Sequence, residues 1–485
     1  MRHHQLAGFV TVWPNTKNDA HSTRKFACDS GNVPADCDLS HKLRYGLLSC
    51  CLFARYLETH PWKYAIAWLA GLSLFFFLSY GFANWATGLR HEVPSLVFGW
   101  EHRIPFVPWT IVPYWSTDLL YGLSLFLCAS YEELRTHGRR LLAAQLLSVA
   151  GFLLFPLRFS FPVPHTEGLF GWLFAALRSF DHPYNQAPSL HLGLTVILWS
   201  EYSRHLRGVA LFLLRAWMVL TAISTLTAYQ HHFIDLPTGI WVGLLTVWLL
   251  PFEASKECVT ANRDRFRLRI ARRYGLGAAI LVGLMAALQG AAWMLLWPVG
   301  SLVLMTFIYT SGRPDAFRKK SGRLPATVIC LLGPYLVGAW LNLLWWTFRD
   351  SDSDEIAPGI RLGRLPRRAE RDRRGVASIV DLAAELPLDI SGVRYRSVAM
   401  LDQLPPELTQ VRAAVEAIND LADSRPTLVC CRLGYSRSAA AVAAWLLAGG
   451  RADSVDDAIA RIAARRPRIA LRPSDRARLE EWRRT

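Results

Sequence analysis

Residues 426–447 read Pro426-Thr-Leu-Val-Cys430-Cys431-Arg432-Leu433-Gly434-Tyr435-Ser436-Arg437-Ser438-Ala-Ala-Ala-Val-Ala-Ala-Trp-Leu-Leu447. A short apolar, β-branched run suits a buried strand, and the Ala-rich run after Ser438 suits a helix. A strand–loop–helix unit of this kind aims backbone N–H groups and a helix N-terminus at one point, which binds an anion. The same field lowers the pKa of a cysteine held there, so Cys431 is the candidate nucleophile. Arg437, separated from it by five residues, can grip two phosphate oxygens through its planar fork. Gly434 permits a tight backbone path, and the loop Arg432, Leu433, Gly434, Tyr435 and Ser436 would surround the phosphate.

These residues resemble the signature of the cysteine-dependent protein phosphatases, and Gly434-Tyr435-Ser436-Arg437-Ser438 is most similar to the dual-specificity branch. The resemblance implies a phosphocysteine mechanism, with Ser438 assisting departure of the thiolate and an aspartic acid on an earlier loop protonating the leaving oxygen. Asp402 follows the apolar run Val398-Ala399-Met400-Leu401 and occupies that place. The family's usual histidine before the cysteine is here Cys430, which reads as a small buried side chain or as a partner for reversible oxidation with Cys431.

Around this loop the chain is unusually apolar and unusually basic. It has 485 residues, 52% of them hydrophobic, with 19 tryptophans and a formal net charge of +16. An integral membrane protein with basic cytoplasmic loops combines these features, whereas a soluble protein rarely does. The cations stand beside hydrophobic spans, not on an aromatic-studded soluble face, so the expected partner is an anionic membrane surface and not nucleic acid. The nine cysteines (28, 37, 50, 51, 128, 258, 330, 430 and 431) show no C-x2-C pair. Neither a structural metal nor a cofactor is expected.

Residues 1–62 are polar and aperiodic, without a signal-peptide pattern. Apolar stretches of roughly spanning length then fall at 64–83, 112–131, 140–157, 188–203, 208–227, 234–252, 275–291, 292–310 and 326–347, the last interrupted by Gly333-Pro334. Clusters of Arg and Lys at 133–140, 201–207, 256–273 and 313–323 assign those loops to the cytoplasm. If 326–347 crosses the bilayer, the C-terminal domain lies outside; if the Gly-Pro break makes it interfacial or re-entrant, the domain stays in the cytoplasm. The second alternative suits a catalytic thiol and the Arg-rich stretch 361–374. The expected architecture is an α-helical multi-span membrane domain, a six-helix core at 63–254 with additional spans at 255–350, followed by an α/β domain at 355–485.

A second cluster lies at the outward ends of two spans. Ala187-Pro188-Ser189-Leu190-His191 opens one, and Gln230-His231-His232-Phe233-Ile234-Asp235 opens the other. His231 and Asp235 stand at i and i+4, on one helix face. Such groups at a membrane-span end are costly unless used. They resemble the type 2 phosphatidic acid phosphatase family, more narrowly its sphingolipid phosphotransferase branch. The resemblance implies His231 as nucleophile, Asp235 as its orienter, His191 as general acid and Ser189 as a phosphate contact. The arginine that the family carries six residues before its nucleophile is absent, since Ser224 is followed by Thr225; Arg158 is the nearest candidate substitute.

Two alternative functions follow for this expected multi-pass protein of a bacterial-type inner or plasma membrane. One is hydrolysis of phosphomonoesters, on a phospholipid head group or a phosphoprotein, at Cys431, with a lipid-phosphate phosphatase or phosphotransferase site at His231. The other is a lipid-phosphate sensor or scaffold whose histidine site only binds and regulates. A transporter finds little support.

Overall fold

The structure, a computed structural model, describes residues 61–252, 265–422 and 426–485. The polar segment up to residue 60, Lys256 and Arg263 of the basic loop, and Cys28, Cys37, Cys50, Cys51 and Cys258 lie outside the described residues.

The first half is all helical. Six helices form its core: α1 (Trp62–Gly88), α2 (Ile111–Leu127), α3 (Tyr131–Leu154), α5 (Leu190–His205), α6 (Gly208–Thr227) and α7 (Asp235–Leu249). A short helix, α4 (Gly168–Arg178), lies between α3 and α5 in the chain and packs through Phe174 and Leu177 against Ile111 and Tyr114 of α2. The apolar spans thus become helices, with one shifted start. Ser130 accepts the Glu133 N–H and caps α3 at Tyr131, so the arginines at 135, 139 and 140 belong to the helix and not to a loop. Helices α5 and α7 meet at a very close approach: a Cβ on Gly239 would stand 2.3 Å from the Ser189 carbonyl oxygen, and one on Gly243 would stand 2.5 Å from that of Gly193. Small residues let the two backbones touch and bring Ser189 beside the start of α7.

Helices α8 (Arg265–Leu288), α9 (Leu296–Ser311) and α10 (Ala326–Thr347) follow. Five helical stretches, Trp62–Gly88, Gly208–Thr227, Arg265–Leu288, Gly290–Ser311 and Ala326–Thr347, are long and apolar enough to cross a membrane. They carry exposed apolar side chains, such as Leu276, Ile280, Leu284 and Leu288 at four-residue spacing on α8.

The expected break at Gly333-Pro334 is not one: α10 runs on through Pro334. Proline removes the N–H that would bond Cys330 oxygen and ordinarily disrupts a helix. Here the indole Nε1–H of Trp297 donates to that carbonyl at 2.7 Å, and the Tyr335 N–H donates to Ser301 Oγ at 3.4 Å. Gly333 makes room for the indole, since a Cβ there would lie 2.6 Å from Trp297 Cζ2. The pair is a docking notch for α9.

The C-terminal α/β region holds a five-stranded mixed sheet in the order β1-β2-β5-β3-β4. Its strands are β1 (Ser353–Ala357), β2 (Ile360–Arg364), β3 (Ser378–Ala383), β4 (Arg394–Met400) and β5 (Thr427–Cys431). β2, β5, β3 and β4 are parallel, and β1 pairs antiparallel with β2. Strands β1 and β2 were hidden in the sequence, where 361–374 reads as a basic surface stretch. Much of that stretch turns inward: Arg361 donates to the Ser353 carbonyl at 2.9 Å, Arg364 to Glu370 at 2.7 Å, and Arg371 to the Asp389 carbonyl at 2.6 Å.

One sheet face packs on α12 (Leu408–Leu421), α13 (Arg437–Ala448), α14 (Val455–Arg465) and α15 (Pro473–Arg484), through Leu362, Val380, Met400 and Val429. The short α11 (Arg368–Arg373) precedes β3. The opposite face, with Ile379, Leu401 and Leu428, joins one continuous apolar cluster with Phe317, Val328, Leu331, Tyr335, Ala339 and Leu343. The loop before α10, through Ala316, Phe317 and Leu324, and α10 itself share this cluster with the second face of the sheet. The Leu388 N–H bonds the Gly322 carbonyl at 2.8 Å, four residues before α10, and Tyr435 Oη donates to the Trp346 carbonyl at 3.1 Å at its far end. The α/β region is therefore tied near both ends of α10, a helix of 22 residues, about 33 Å long. Lys319, buried in the loop before α10, pairs with the buried Asp381 and donates to the Ala383 carbonyl at 2.9 Å. The cation expected to face a membrane surface is instead a bolt between the two halves.

Candidate active site

β5 is buried along its whole length and ends at Cys431. The side chains of Cys430 and Cys431 alternate across the pleat, one into each apolar cluster, and both thiols are free. A bond between them is thus disfavoured by strand geometry. Burial, followed by the Asp381 carboxylate, pushes the Cys430 thiol well up, which fits an inert core residue.

The loop curls around the Cys431 sulfur. Gly434 N–H donates to Sγ at 3.3 Å, and Ser438 Oγ lies 3.3 Å from it on the other side. Gly434 has φ +74°, and a Cβ there would stand 2.4 Å from the Gly363 carbonyl carbon. Only glycine fits this turn against β2. From outside, Arg466 Nε donates to the Gly434 carbonyl at 2.9 Å and Arg466 Nη1 reaches Asp354 at 2.6 Å.

Arg437 begins α13 with its guanidinium buried. It makes a bidentate pair with Glu385, at 2.9 and 2.7 Å, and also donates to the Met400 carbonyl at 2.9 Å. Asp402 Oδ1 stands 3.2 Å from the same guanidinium. Burial alone would favour the neutral form, yet Glu385 and Asp402 hold Arg437 charged, well above its usual value. Burial likewise opposes ionisation of Glu385, but the Arg437 charge and its hydrogen bonds outweigh this and bring the carboxyl down to about 2. Sequence reasoning missed Glu385. Its only signal was position, a lone carboxylate just past the C-terminal end of an apolar strand, where sites in α/β sheets gather.

Asp402 and Cys431 line the same cavity. Asp402 is also paired with Arg432, and its backbone carbonyl accepts from Tyr309 Oη at 3.1 Å. Two of the expected phosphate contacts have other partners. The Arg432 side chain is spent on Asp402, and the Tyr435 hydroxyl turns to Asp350 and the Trp346 carbonyl. Leu433, Tyr435 and Ser436 still line the cavity.

Residues 369–485 match the family described as dual specificity phosphatase, catalytic domain. The C-terminal α/β region is a dual-specificity phosphatase domain. Similar solved structures include PTPMT1 in complex with PI(5)P, 26% identical over 28% of this chain and 96% of that one with a TM-score of 0.26. Human DUSP28 is 23% identical over 28% of this chain and 94% of that one, also with a TM-score of 0.26. No curated protein matches the chain. The phosphatase domain fills about the last quarter of the sequence, and its sheet extends upstream of the matched residues through β1 and β2.

The cavity at Cys431, about 780 Å³, has two kinds of wall. Cys431, Arg432, Arg437, Asp402 and Arg472 form a polar end. Tyr274 of α8, Pro298 and Leu302 of α9, and Pro334, Gly338 and Trp346 of α10 form an apolar one. No sequence pattern linked those helices to the thiol.

The histidine cluster also assembles. Ser189 Oγ lies 3.1 Å from His231 Nε2, and His231 Nδ1 lies 3.2 Å from Asp235 Oδ2. The His191 and His231 rings are 6.2 Å apart, and His191 Nδ1 is 3.2 Å from Tyr114 Oη. His232 is engaged elsewhere, with Glu101 at 3.1 Å and Ser160 Oγ at 3.1 Å. Arg158 is exposed, and among the described residues it makes no hydrogen bond or ion pair with this cluster. Thr225, where the resemblance would have an arginine, is buried and accepts the His231 N–H on its carbonyl at 3.0 Å. The adjoining cavity of about 230 Å³ is lined by Tyr80, Tyr114, Asp118, Asp181 and His191 among others, with no lysine or arginine. Carboxylates without a cation suit a phosphate poorly.

Proposed function

We propose that the chain is a membrane-bound cysteine-dependent phosphatase that hydrolyses the phosphomonoester head group of a membrane lipid. The observation carrying this reading is the cavity at Cys431, whose polar end meets a wall of helices long and apolar enough for a bilayer. A phosphate on an acyl-bearing substrate matches both ends, whereas a phosphopeptide leaves the apolar wall unused.

In this reaction the Cys431 thiolate attacks phosphorus in line. An S–P bond forms as the bond to the leaving oxygen breaks, and Asp402 delivers its proton to that oxygen. Arg437 and the loop amides stabilise the equatorial oxygens. Asp402, now a carboxylate, removes a proton from water, which attacks phosphorus and releases inorganic phosphate, while Ser438 donates to the departing sulfur. An incoming phosphate replaces Asp402 on Arg437, which frees the carboxyl for the leaving oxygen.

The ties of the phosphatase domain near both ends of α10 support an interfacial helix, with Val337, Leu341 and Trp345 of its exposed face toward lipid. The phosphatase domain then lies on the cytoplasmic side. The test compares full-length protein with a Gly338→Leu variant on short-chain lipid phosphates and on a small aryl phosphate. Lipid turnover falls at least tenfold while aryl phosphate turnover holds. Equal loss on both, or none on either, would refute the lipid assignment, and Cys431→Ser must abolish both.

A second reading keeps His231 as a lipid-phosphate nucleophile, and the Ser189–His231–Asp235 chain favours it. Full-length protein carrying Cys431→Ser decides: phosphate release from a lipid phosphate that vanishes with His231→Ala supports this second activity, and no release leaves binding alone.

A further inference from the structure

At the other end of α5 from Ser189 and His191, two identical spacings face each other: Glu133-x3-His137 on α3 and Glu201-x3-His205 on α5. Residues four apart share a helix face, so each helix presents a carboxylate and an imidazole to its neighbour. Glu133 Oε1, Glu201 and His205 Nε2 lie within 4.8 Å of one another. His205 Nε2 is 3.3 Å from Glu133 Oε1 and 3.2 Å from Glu201 Oε1. One N–H cannot point at both oxygens, and the two carboxylates repel each other.

A second observation is independent of that triad. Ser124 Oγ lies 2.7 Å from both the Tyr121 carbonyl and His137 Nε2, and when its single proton goes to the carbonyl, His137 donates at Nε2. In that tautomer neutral His137 turns a bare Nδ1 lone pair toward Glu201 Oε2 at 3.6 Å. Both side chains are completely buried, and neither of these two atoms has a hydrogen-bond partner. Two buried acceptors facing each other are costly unless a cation or a proton lies between them.

We infer that this cluster is a binding site for a divalent transition-metal ion of the zinc class, with Glu133, Glu201 and His205 as protein ligands and His137 beside the fourth position. Ligand atoms about 2.0–2.1 Å from a tetrahedral ion stand about 3.4 Å apart, close to the 3.2, 3.3 and 3.6 Å separations here. The nitrogen–carboxylate set suits zinc better than magnesium or calcium, which prefer all-oxygen shells. Glu133 and His205 keep 10% and 20% of their side chains exposed, which gives an ion a way in. Arg204, 3.0 Å from Glu133 and 45% exposed, stacks on the Phe252 ring at 4.0 Å and would have to release Glu133 as the ion enters. The ion would pin the start of α3 to the end of α5, and the sequence reading, guided by cysteine spacing, looked past it.

The test uses the full chain in detergent, stripped with chelator, re-exposed to Zn2+ and desalted, with zinc counted per chain by mass spectrometry. Wild type retains about one equivalent more than the Glu201→Gln/His205→Ala double variant; histidines elsewhere bind equally in both and cancel. Co2+ in place of zinc gives a tetrahedral visible absorption band in wild type that the double variant lacks. If the double variant does not fold, His205→Gln alone serves: at least a tenfold loss of affinity is expected, together with loss of the zinc-dependent rise in Tm. Equal zinc in wild type and variant, or no rise in wild-type Tm with Zn2+, overturns the site in favour of a proton-bridged His137–Glu201 pair.

Discussion

Glu385→Gln removes one negative charge from beneath Arg437 while keeping the size of the side chain. Glu385 makes two bonds to the guanidinium, and both side chains are only 2% exposed. Breaking a buried ion pair by removing one partner costs about 3–5 kcal/mol. The glutamine still offers one oxygen, and the Met400 carbonyl and Asp402 remain on Arg437, so about 2–3 kcal/mol is the reasonable share. If the same loss appears in the transition state, kcat/KM on an aryl phosphate falls about 30- to 150-fold. The loss should sit mostly in kcat, since Arg437 grips the transferring phosphoryl more strongly than the ground state. Denaturant melts of full-length protein in detergent measure the stability share. The pair also has a pH signature. Glu385 is depressed, so its contribution is complete above the unfolded value near 4.5 and disappears as pH falls toward about 2. In Glu385→Gln that acid-side decline becomes shallower. Activity within threefold of wild type, with an unchanged acid profile, would refute the idea that this carboxylate sets Arg437.

Asp402→Asn is expected to cost about 100-fold or more on alkyl phosphates, where the leaving oxygen needs a proton, and far less on aryl phosphates with acidic phenols; a uniform loss would remove Asp402 from the general-acid role. Lys319→Met strands the buried Asp381 and should destabilise by about 3 kcal/mol, while adding Asp381→Asn recovers much of it, a double-mutant cycle readable by thermal melts. Gly333→Leu drives a side chain into the Trp297 indole and should cost about 1–3 kcal/mol, leaving Gly338→Ala near neutral because nothing lies within 4 Å of a Cβ there. Residues 353–485 expressed alone expose Ile379, Leu401 and Leu428, so that fragment should aggregate or bind a hydrophobic dye, whereas one starting at residue 313 should do so less.

The loop at Cys431 was legible because all its parts are local: a strand, a glycine at positive φ, an arginine at fixed spacing and a helix. Asp402 was legible for a similar reason, standing at the end of a strand-like run. Glu385 was not, because its partner lies 52 residues away and a single glutamate carries no spacing signal. Strands β1 and β2 were obscured by arginines that look solvent-bound until their acceptors are seen. Arg432 and Tyr435 sit in the right loop, but whether a side chain serves the phosphate or the scaffold depends on what approaches from outside.

By itself the sequence determined the two classes of structure, the phosphatase-type loop at Cys431 and the apolar helices, since each depends on periodicity or on residues within a single loop. The tertiary structure decided the rest. It turned Gly333-Pro334 from a break into a notch, because Trp297 supplies the hydrogen-bond donor that proline lacks. It drew the loop before α10 and α10 itself into one apolar cluster with the sheet's second face, because Ile379, Leu401 and Leu428 there need cover from water. It thereby placed the thiol's cavity against membrane-type helices, a juxtaposition of segments more than 80 residues apart that no local pattern encodes.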